Sequence, residues 1–176
     1  MSFADPVANI LQMGLRDGMK VADLGAGSGH YALAAAHIVG PKGRVYAIDV
    51  QEDVLKCIRD RAEEKGLKNI ETVWGDVEKA GGTQLKDLSI DAVVLSNILF
   101  QLENKDDAIG EIKRILVSGG KLLVVDWAGA YGGIGPHKER VMSEHDAEEL
   151  FIHHGFHKVK AFRGGPHHYS LLFTAP

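Results

Sequence analysis

Three acidic residues stand where apolar runs give way to turns. Asp23 precedes Gly25-Ala26-Gly27-Ser28-Gly29-His30, Asp49 follows Arg44-Val45-Tyr46-Ala47-Ile48, and Asp76 follows Thr72-Val73-Trp74-Gly75. Glycines at alternate positions let a backbone turn through positive φ and lie against a ligand that a Cβ would hold off. The alanine-rich run beyond them aims helical N–H groups and a partial positive charge at whatever covers the loop. Asp23 is placed to pair with a cationic, amino-acid-like portion of that ligand. Asp49 falls 24 residues beyond Gly25, where a βαβ unit delivers its ribose-binding carboxylate. Asp76 can accept from an adenine amino group while the Asp76–Val77 backbone reads the ring edge. The spacing G-x-G-x-G is tighter than the G-x-G-x-x-G of dinucleotide sites, which points to a ligand without phosphates.

These groups need strands that end together. Residues 20–24, Gly43–Asp49, Asn69–Asp76, Ser89–Ser96 and Lys121–Trp127 read as five strands, the third alternating and therefore nearer a sheet edge. Helices fall between them: Tyr31–Val39, stopped by Gly40-Pro41, Gln51–Lys65, with Val54, Leu55, Ile58 and Ala62 inward, and Asp106–Leu116. Residues 79–88 read as a loop, and Ser118-Gly119-Gly120 as the turn into strand five. Asp5 caps a short helix opened by Pro6, whose Val7, Ile10 and Leu11 have the spacing of a packed face. Ser143-x-x-Asp146 resembles a capping box and opens a helix with Ala147, Leu150, Phe151 and His154 on one face, closed by Gly155. His157–Phe162 and His168–Thr174 then form an antiparallel pair. Five strands alternating with helices give a doubly wound α/β sheet. Its crevice lies beyond the carboxyl ends of the strands, across Asp23, Gly25, Ala26, Gly27, Gly29, His30, Asp49, Val50, Asp76, Val77, Ser96 and Asn97.

With 176 residues the chain makes a single domain, 1–176, with a substantial core. Its 45% hydrophobic content and mean hydropathy of −0.08 are those of a soluble protein, and no run has the length of a membrane helix. The N-terminus has no secretory pattern, and the single Cys57, read as a structural thiol, suits a reducing cytoplasm. A net charge of −4 argues against a nucleic-acid partner.

Val21–Gly29, Asp49, Gly75-Asp76, Asp91–Leu95 and Arg114-Ile115-Leu116-Val117-Ser118-Gly119-Gly120 together resemble the class I S-adenosylmethionine-dependent methyltransferases. Closest in texture are small-molecule enzymes similar to the ubiquinone and menaquinone C-methyltransferases. The resemblance covers nearly the whole chain. It implies a three-layer α/β/α fold with a seven-stranded, mostly parallel sheet of order 3-2-1-4-5-7-6, the last strand antiparallel. It implies S-adenosylmethionine as cofactor and a small-molecule methyl acceptor. Ser118 stands where relatives usually have Pro, and Phe100-Gln101 where many carry a His pair. The Asn/Asp-Pro-Pro-Tyr signature of amino-group methylation is absent, with Ser96-Asn97-Ile98-Leu99 in its place, and so are the cysteine clusters of arsenic methylation.

Methyl transfer from a sulfonium is an in-line displacement that positioning can largely catalyse; a base is needed only if the acceptor must lose a proton. Seven of nine histidines lie beyond position 136, but His153, His154 and His157 straddle a helix end that scatters them, so no metal is expected. His137, in the loop after strand five, and Gln101 are the candidate catalytic groups. Tyr131, His137 and Arg140 supply a ring face, a proton acceptor and a cation for the acceptor, in a glycine-rich segment expected to order on binding. Two other readings stand beside this one. A non-catalytic cofactor-binding module needs none of the catalytic groups. An NAD-dependent oxidoreductase or epimerase would want the longer glycine spacing and usually a Tyr-x-x-x-Lys pair, which the chain lacks.

Overall fold

The computed structural model describes residues 4–176. Helix α1 (Pro6–Leu11) is followed by alternating strands and helices: β1 (Lys20–Leu24), α2 (His30–Val39), β2 (Arg44–Asp49), α3 (Glu52–Glu64) and β3 (Ile70–Trp74). Then come β4 (Ile90–Ser96), α4 (Lys105–Ile115), β5 (Leu116–Trp127), α5 (Glu144–His153), β6 (His157–Gly165) and β7 (His168–Thr174). The seven strands form one sheet of order β3-β2-β1-β4-β5-β7-β6. β1 to β5 run parallel, and β7 runs antiparallel to both β5 and β6. The doubly wound fold is therefore the one expected.

Two apolar layers sandwich the sheet. Ala32, Ala35 and Val39 of α2, Ile58 of α3 and Ile10 of α1 pack against one face. Ile109, Ile112 and Ile115 of α4 and Ala147 and Phe151 of α5 pack against the other. The central strands are buried on both faces, as β1 shows from Val21 to Leu24. Among the described residues no helix is long and apolar enough to cross a membrane.

Several local expectations change. Asp5 does cap α1, accepting from the Ala8 N–H at 3.0 Å, but Val7 and Leu11 are exposed and Ile10 and Asn9 are buried. One six-residue helix can bury only the stripe that meets α2. Cys57 is exposed on α3, one position away from the buried Ile58, so it is not a core thiol. The chain turns from α4 directly into extended backbone at Leu116, which pairs with Ile90. β5 thus begins before Ser118-Gly119-Gly120, and a register shift opposite Ile90/Ala92 accommodates the bend. Ser143 caps α5 as expected, accepting from the Asp146 N–H at 3.1 Å.

Candidate functional site

A cavity of about 780 Å³ opens beyond the carboxyl ends of β1, β2, β3 and β4. Of the residues expected there, Asp23, Gly25, Ala26, Gly27, His30, Asp49, Val50, Asp76, Val77, Ser96 and Asn97 all line it. Gly29 does not. It caps α2 at φ +75°, and a Cβ there would press on Ile58 at 2.7 Å, so its role is packing. Gly25 (φ +66°) faces the Ile98 side chain, which any Cβ would strike. Gly27 (φ +49°) has only the Gly25 carbonyl near its open side, at 3.9 Å. The loop therefore presents bare backbone to the cavity.

Each acid is held differently. Asp49 accepts from the Gly27 N–H through Oδ2 and from the Gln51 N–H through Oδ1, both at 3.0 Å. These bonds lock the carboxylate to the glycine loop and leave each oxygen a lone pair for a ribose hydroxyl. Asp76 accepts from the Glu78 N–H at 3.0 Å and pairs with Lys79 at 3.0 Å. The Lys79 bond chiefly holds its carboxyl below the usual range, against the opposing effect of partial burial. Asp23 is 2% exposed and accepts from the Ala32 N–H at 3.0 Å. Burial pushes it up to about 7, the Ala32 bond pulls the other way, and the charge of Asp49 adds to the rise. An acid raised by burial at the edge of a cavity suits a cationic ligand.

The segment after β4 closes the same end. Asn97 adopts φ +57°, a left-handed conformation that asparagine tolerates better than most residues. Its N–H donates to the Val125 carbonyl at 2.8 Å, while its side-chain oxygen is buried without a partner among the described residues. Gln101 Nε2 donates to the Asn97 carbonyl at 2.8 Å. Asp126, at the end of β5, anchors this turn from below by accepting from the Leu99 N–H at 2.9 Å and the Trp127 N–H at 2.7 Å. Its carboxyl is pushed up to about 6 by burial despite those bonds.

A second cavity of about 440 Å³ shares Gln101 and Leu102 with the first and is lined also by Phe100, Met142 and Arg140. It brings Gln101 and Arg140 together. His137 and Tyr131 line neither cavity: His137 is exposed just before a 3-10 turn, Lys138–Arg140, and the Tyr131 ring lies 4.2 Å from that of His167. Among the described residues no group of three or more His, Cys, Asp or Glu side chains could hold a metal ion. His154, weighed as a ligand, instead contacts the Leu150 carbonyl at 2.8 Å and Asp106 at 3.2 Å.

Sequence reasoning missed Tyr31 and Asn9. Tyr31 lines the cavity from the first turn of α2, and its hydroxyl accepts from Asn9 Nδ2 at 2.8 Å. Tyr31 carried a signal, because side chains in a first helical turn point back over the helix N-terminus. Asn9 carried none, since its partner lies 22 residues away.

The site fits S-adenosylmethionine on its own geometry: bare backbone at the loop, an oriented carboxylate at the end of β2, an acid raised by burial, and an unsatisfied Asn97 oxygen among the described residues. Comparisons with known proteins agree. A family described as "Methyltransferase domain" matches residues 15–160. The chain is similar to the ubiquinone/menaquinone biosynthesis C-methyltransferase of Pseudomonas entomophila, at 37% identity over 116 residues, 65% of this chain and 44% of that protein. The Pseudomonas putida counterpart matches to the same extent. The chain thus spans less than half the length of the curated relatives it matches. The crystal structure of a SAM-dependent methyltransferase from Aquifex aeolicus superposes with a TM-score of 0.89 at 28% identity, covering 99% of this chain and 91% of that one. Carrying the family's match over most of its length and the family's sheet, the chain belongs to the class I S-adenosylmethionine-dependent methyltransferases, and S-adenosylmethionine is its cofactor.

Proposed function

We propose that the protein transfers a methyl group to a small-molecule acceptor, held in the cavity shared by Gln101, Leu102 and Arg140. One observation carries this reading: the second cavity meets the first at Gln101 and Leu102, so an acceptor there would border the cofactor. When bound, S-adenosylmethionine supplies an electrophilic methyl on a sulfonium. The residues of the chain hold and aim it. Asp49 receives the ribose hydroxyls, Asp76 and Val77 receive the adenine edge, and Gly25 to Ser28 and His30, with Val50, Ser96 and Asn97, form the walls. Asp23 takes the cationic amino-acid portion, and burial of these groups strengthens each contact.

On the acceptor side Arg140 would hold an anionic or phenolic oxygen, and Gln101, fixed to the Asn97 carbonyl, would orient the nucleophile. Tyr131 and His137, on the same glycine-bearing loop as Arg140, are proposed contacts that loop closure would bring inward, with His137 available to take a proton where the acceptor must lose one. The Pseudomonas relatives named above are ubiquinone/menaquinone biosynthesis C-methyltransferases, which supports a small-molecule acceptor for this chain. A methyl-transfer assay over a panel of phenolic, quinol and carboxylate metabolites tests the reading. Turnover of one class with stoichiometric S-adenosylhomocysteine supports it. Tight cofactor binding with no turnover across the panel would favour a non-catalytic module.

A further inference from the structure

Asp126 stands next to the last residue of β5, is 3% exposed and lines neither cavity. Its carboxyl is bonded to backbone. Oδ2 accepts from the Leu99 N–H at 2.9 Å and Oδ1 from the Trp127 N–H at 2.7 Å, and the Ile98 N–H also bonds it. Two of these three donors belong to the turn after β4, and that turn separates the two cavities. Ile98 lies where a Cβ on Gly25 would strike it and lines the first cavity. Gln101 and Leu102 line both. At the far end of the turn Lys105 Nζ donates to the Leu102 carbonyl at 2.7 Å. An anion therefore holds the N–H end of the turn and a cation its carbonyl end.

Burial opposes the charge on Asp126 and raises its carboxyl from 3.8 to about 6, while the Trp127, Leu99 and Ile98 bonds and the charge of Lys105 pull the other way. Lys105 faces it from α4. Tyr169 faces it from β7, as its partner in the ladder, and stays a neutral phenol, raised by burial and by the charges of Asp126, Glu144 and Asp146. An ionised carboxyl offers two acceptor oxygens to the three N–H groups. Protonation turns one of them into a donor. Resting on the two-cavity reading above, we infer that ionised Asp126 is a positioning residue: it holds the 97–102 turn against the glycine loop and so sets the wall between cofactor and acceptor. That wall decides how the sulfonium methyl meets the nucleophile, although Asp126 borders neither ligand.

Amide hydrogen exchange read by NMR as protection factors follows the turn directly. In ligand-free wild type, Leu99 should lose about tenfold in protection from pH 7.5 to pH 5, the scale of one hydrogen bond to a charged group. The carboxyl carbon shift of Asp126 should titrate with the same midpoint. Asp126→Asn offers one acceptor oxygen, so Leu99 or Trp127 should lose about tenfold in protection at pH 7.5, with no further change at pH 5. The same variant should bind S-adenosylhomocysteine about tenfold more weakly at pH 7.5 by isothermal titration, with a melting temperature within a few degrees of wild type. Leu99 protection that is flat with pH, or that falls with a midpoint apart from that of Asp126, would overturn the inference even if Asp126→Asn does not fold. So would a folded Asp126→Asn that binds S-adenosylhomocysteine as wild type does. Failure of wild-type protein to bind S-adenosylhomocysteine would instead overturn the cofactor reading, and this inference with it.

Discussion

Two carboxylates in this protein are each 2% exposed, Asp23 beside the cavity and Glu111 on α4 behind the sheet, and they meet opposite fates. Glu111 accepts from the Thr83 N–H at 3.0 Å, the Thr83 hydroxyl at 2.6 Å, the Gly81 N–H at 2.9 Å and Arg114 at 2.7 and 2.8 Å. Burial pushes it up, but the Arg114 and Thr83 bonds outweigh that and hold it at about 2. Asp23 has the Ala32 N–H, and burial with the charge of Asp49 carries it to about 7. Burial alone therefore does not decide a carboxylate's state; the number and charge of its donors do. The fold surrounds Glu111 with backbone donors, a hydroxyl and a guanidinium and gives Asp23 the Ala32 N–H.

Removing a partner from the completed site should have the largest effect. Glu111→Ala leaves the Gly81 and Thr83 N–H groups without their acceptor while Arg114 keeps Asp87 and the Leu85 carbonyl, and urea denaturation should show a loss of about 3 kcal/mol, the scale of leaving buried donors unmatched. Glu111 lies below its unfolded value, so its contribution is present above about pH 4.5 and fades as pH falls towards 2. A variant as stable as wild type at pH 7 would erase the contrast.

At Asp23 the sign reverses. Asp23 is raised from 3.8 to about 7, so its favourable protonated state is fully kept below about pH 4 and lost as pH rises through 7. Asp23→Asn mimics the protonated form and keeps an acceptor for the Ala32 N–H. The ligand-free variant should gain on the order of 1–3 kcal/mol at pH 8 relative to pH 4, while its S-adenosylmethionine affinity falls at least tenfold. Thermal scans at the two pH values and titration calorimetry check both halves. A variant that binds normally would remove Asp23 from the cation site.

The contrast sharpens with pH. If the ligand cation pairs with ionised Asp23, wild-type affinity should tighten about tenfold between pH 6 and 8. Asp49→Asn should weaken binding overall and move the rise to lower pH, because the Asp49 charge helps to raise Asp23. A flat affinity profile in wild type would mean that the cation lies elsewhere.

The smallest effects belong to the acceptor side. Arg140→Ala should raise the acceptor KM several-fold and His137→Ala less, since only Arg140 lines the second cavity; cofactor affinity should not change in either. Wild-type kinetics for both would make the 128–141 segment a connector.

Most of the lining of the first cavity was legible in the sequence because it rests on local rules. Glycines at 25, 27 and 29 report their own backbone angles, and acids at the ends of consecutive apolar runs must converge once parallel strands align. Asp49 could be placed by counting from Gly25 for that reason. The differences came where long-range packing decides. Val7 and Leu11 have helical spacing, yet only the Ile10 side of α1 meets α2. His137 has suitable chemistry, but the loop leaves it outside both cavities, and the cation at Arg140 was the one brought to Gln101.

The sequence by itself determined the strand order's raw material, the glycine loop and the three acids, since short-range periodicity and steric freedom are properties of neighbouring residues. The tertiary structure decided which buried polar groups are satisfied. Asn9 meets Tyr31 across 22 residues and Gly164 across 155, and Glu111 meets Thr83 across 28. Donors and acceptors so far apart in the chain are matched only when helices pack on the sheet, so the rise of Asp23 and the partners of the Tyr31 hydroxyl follow from the fold.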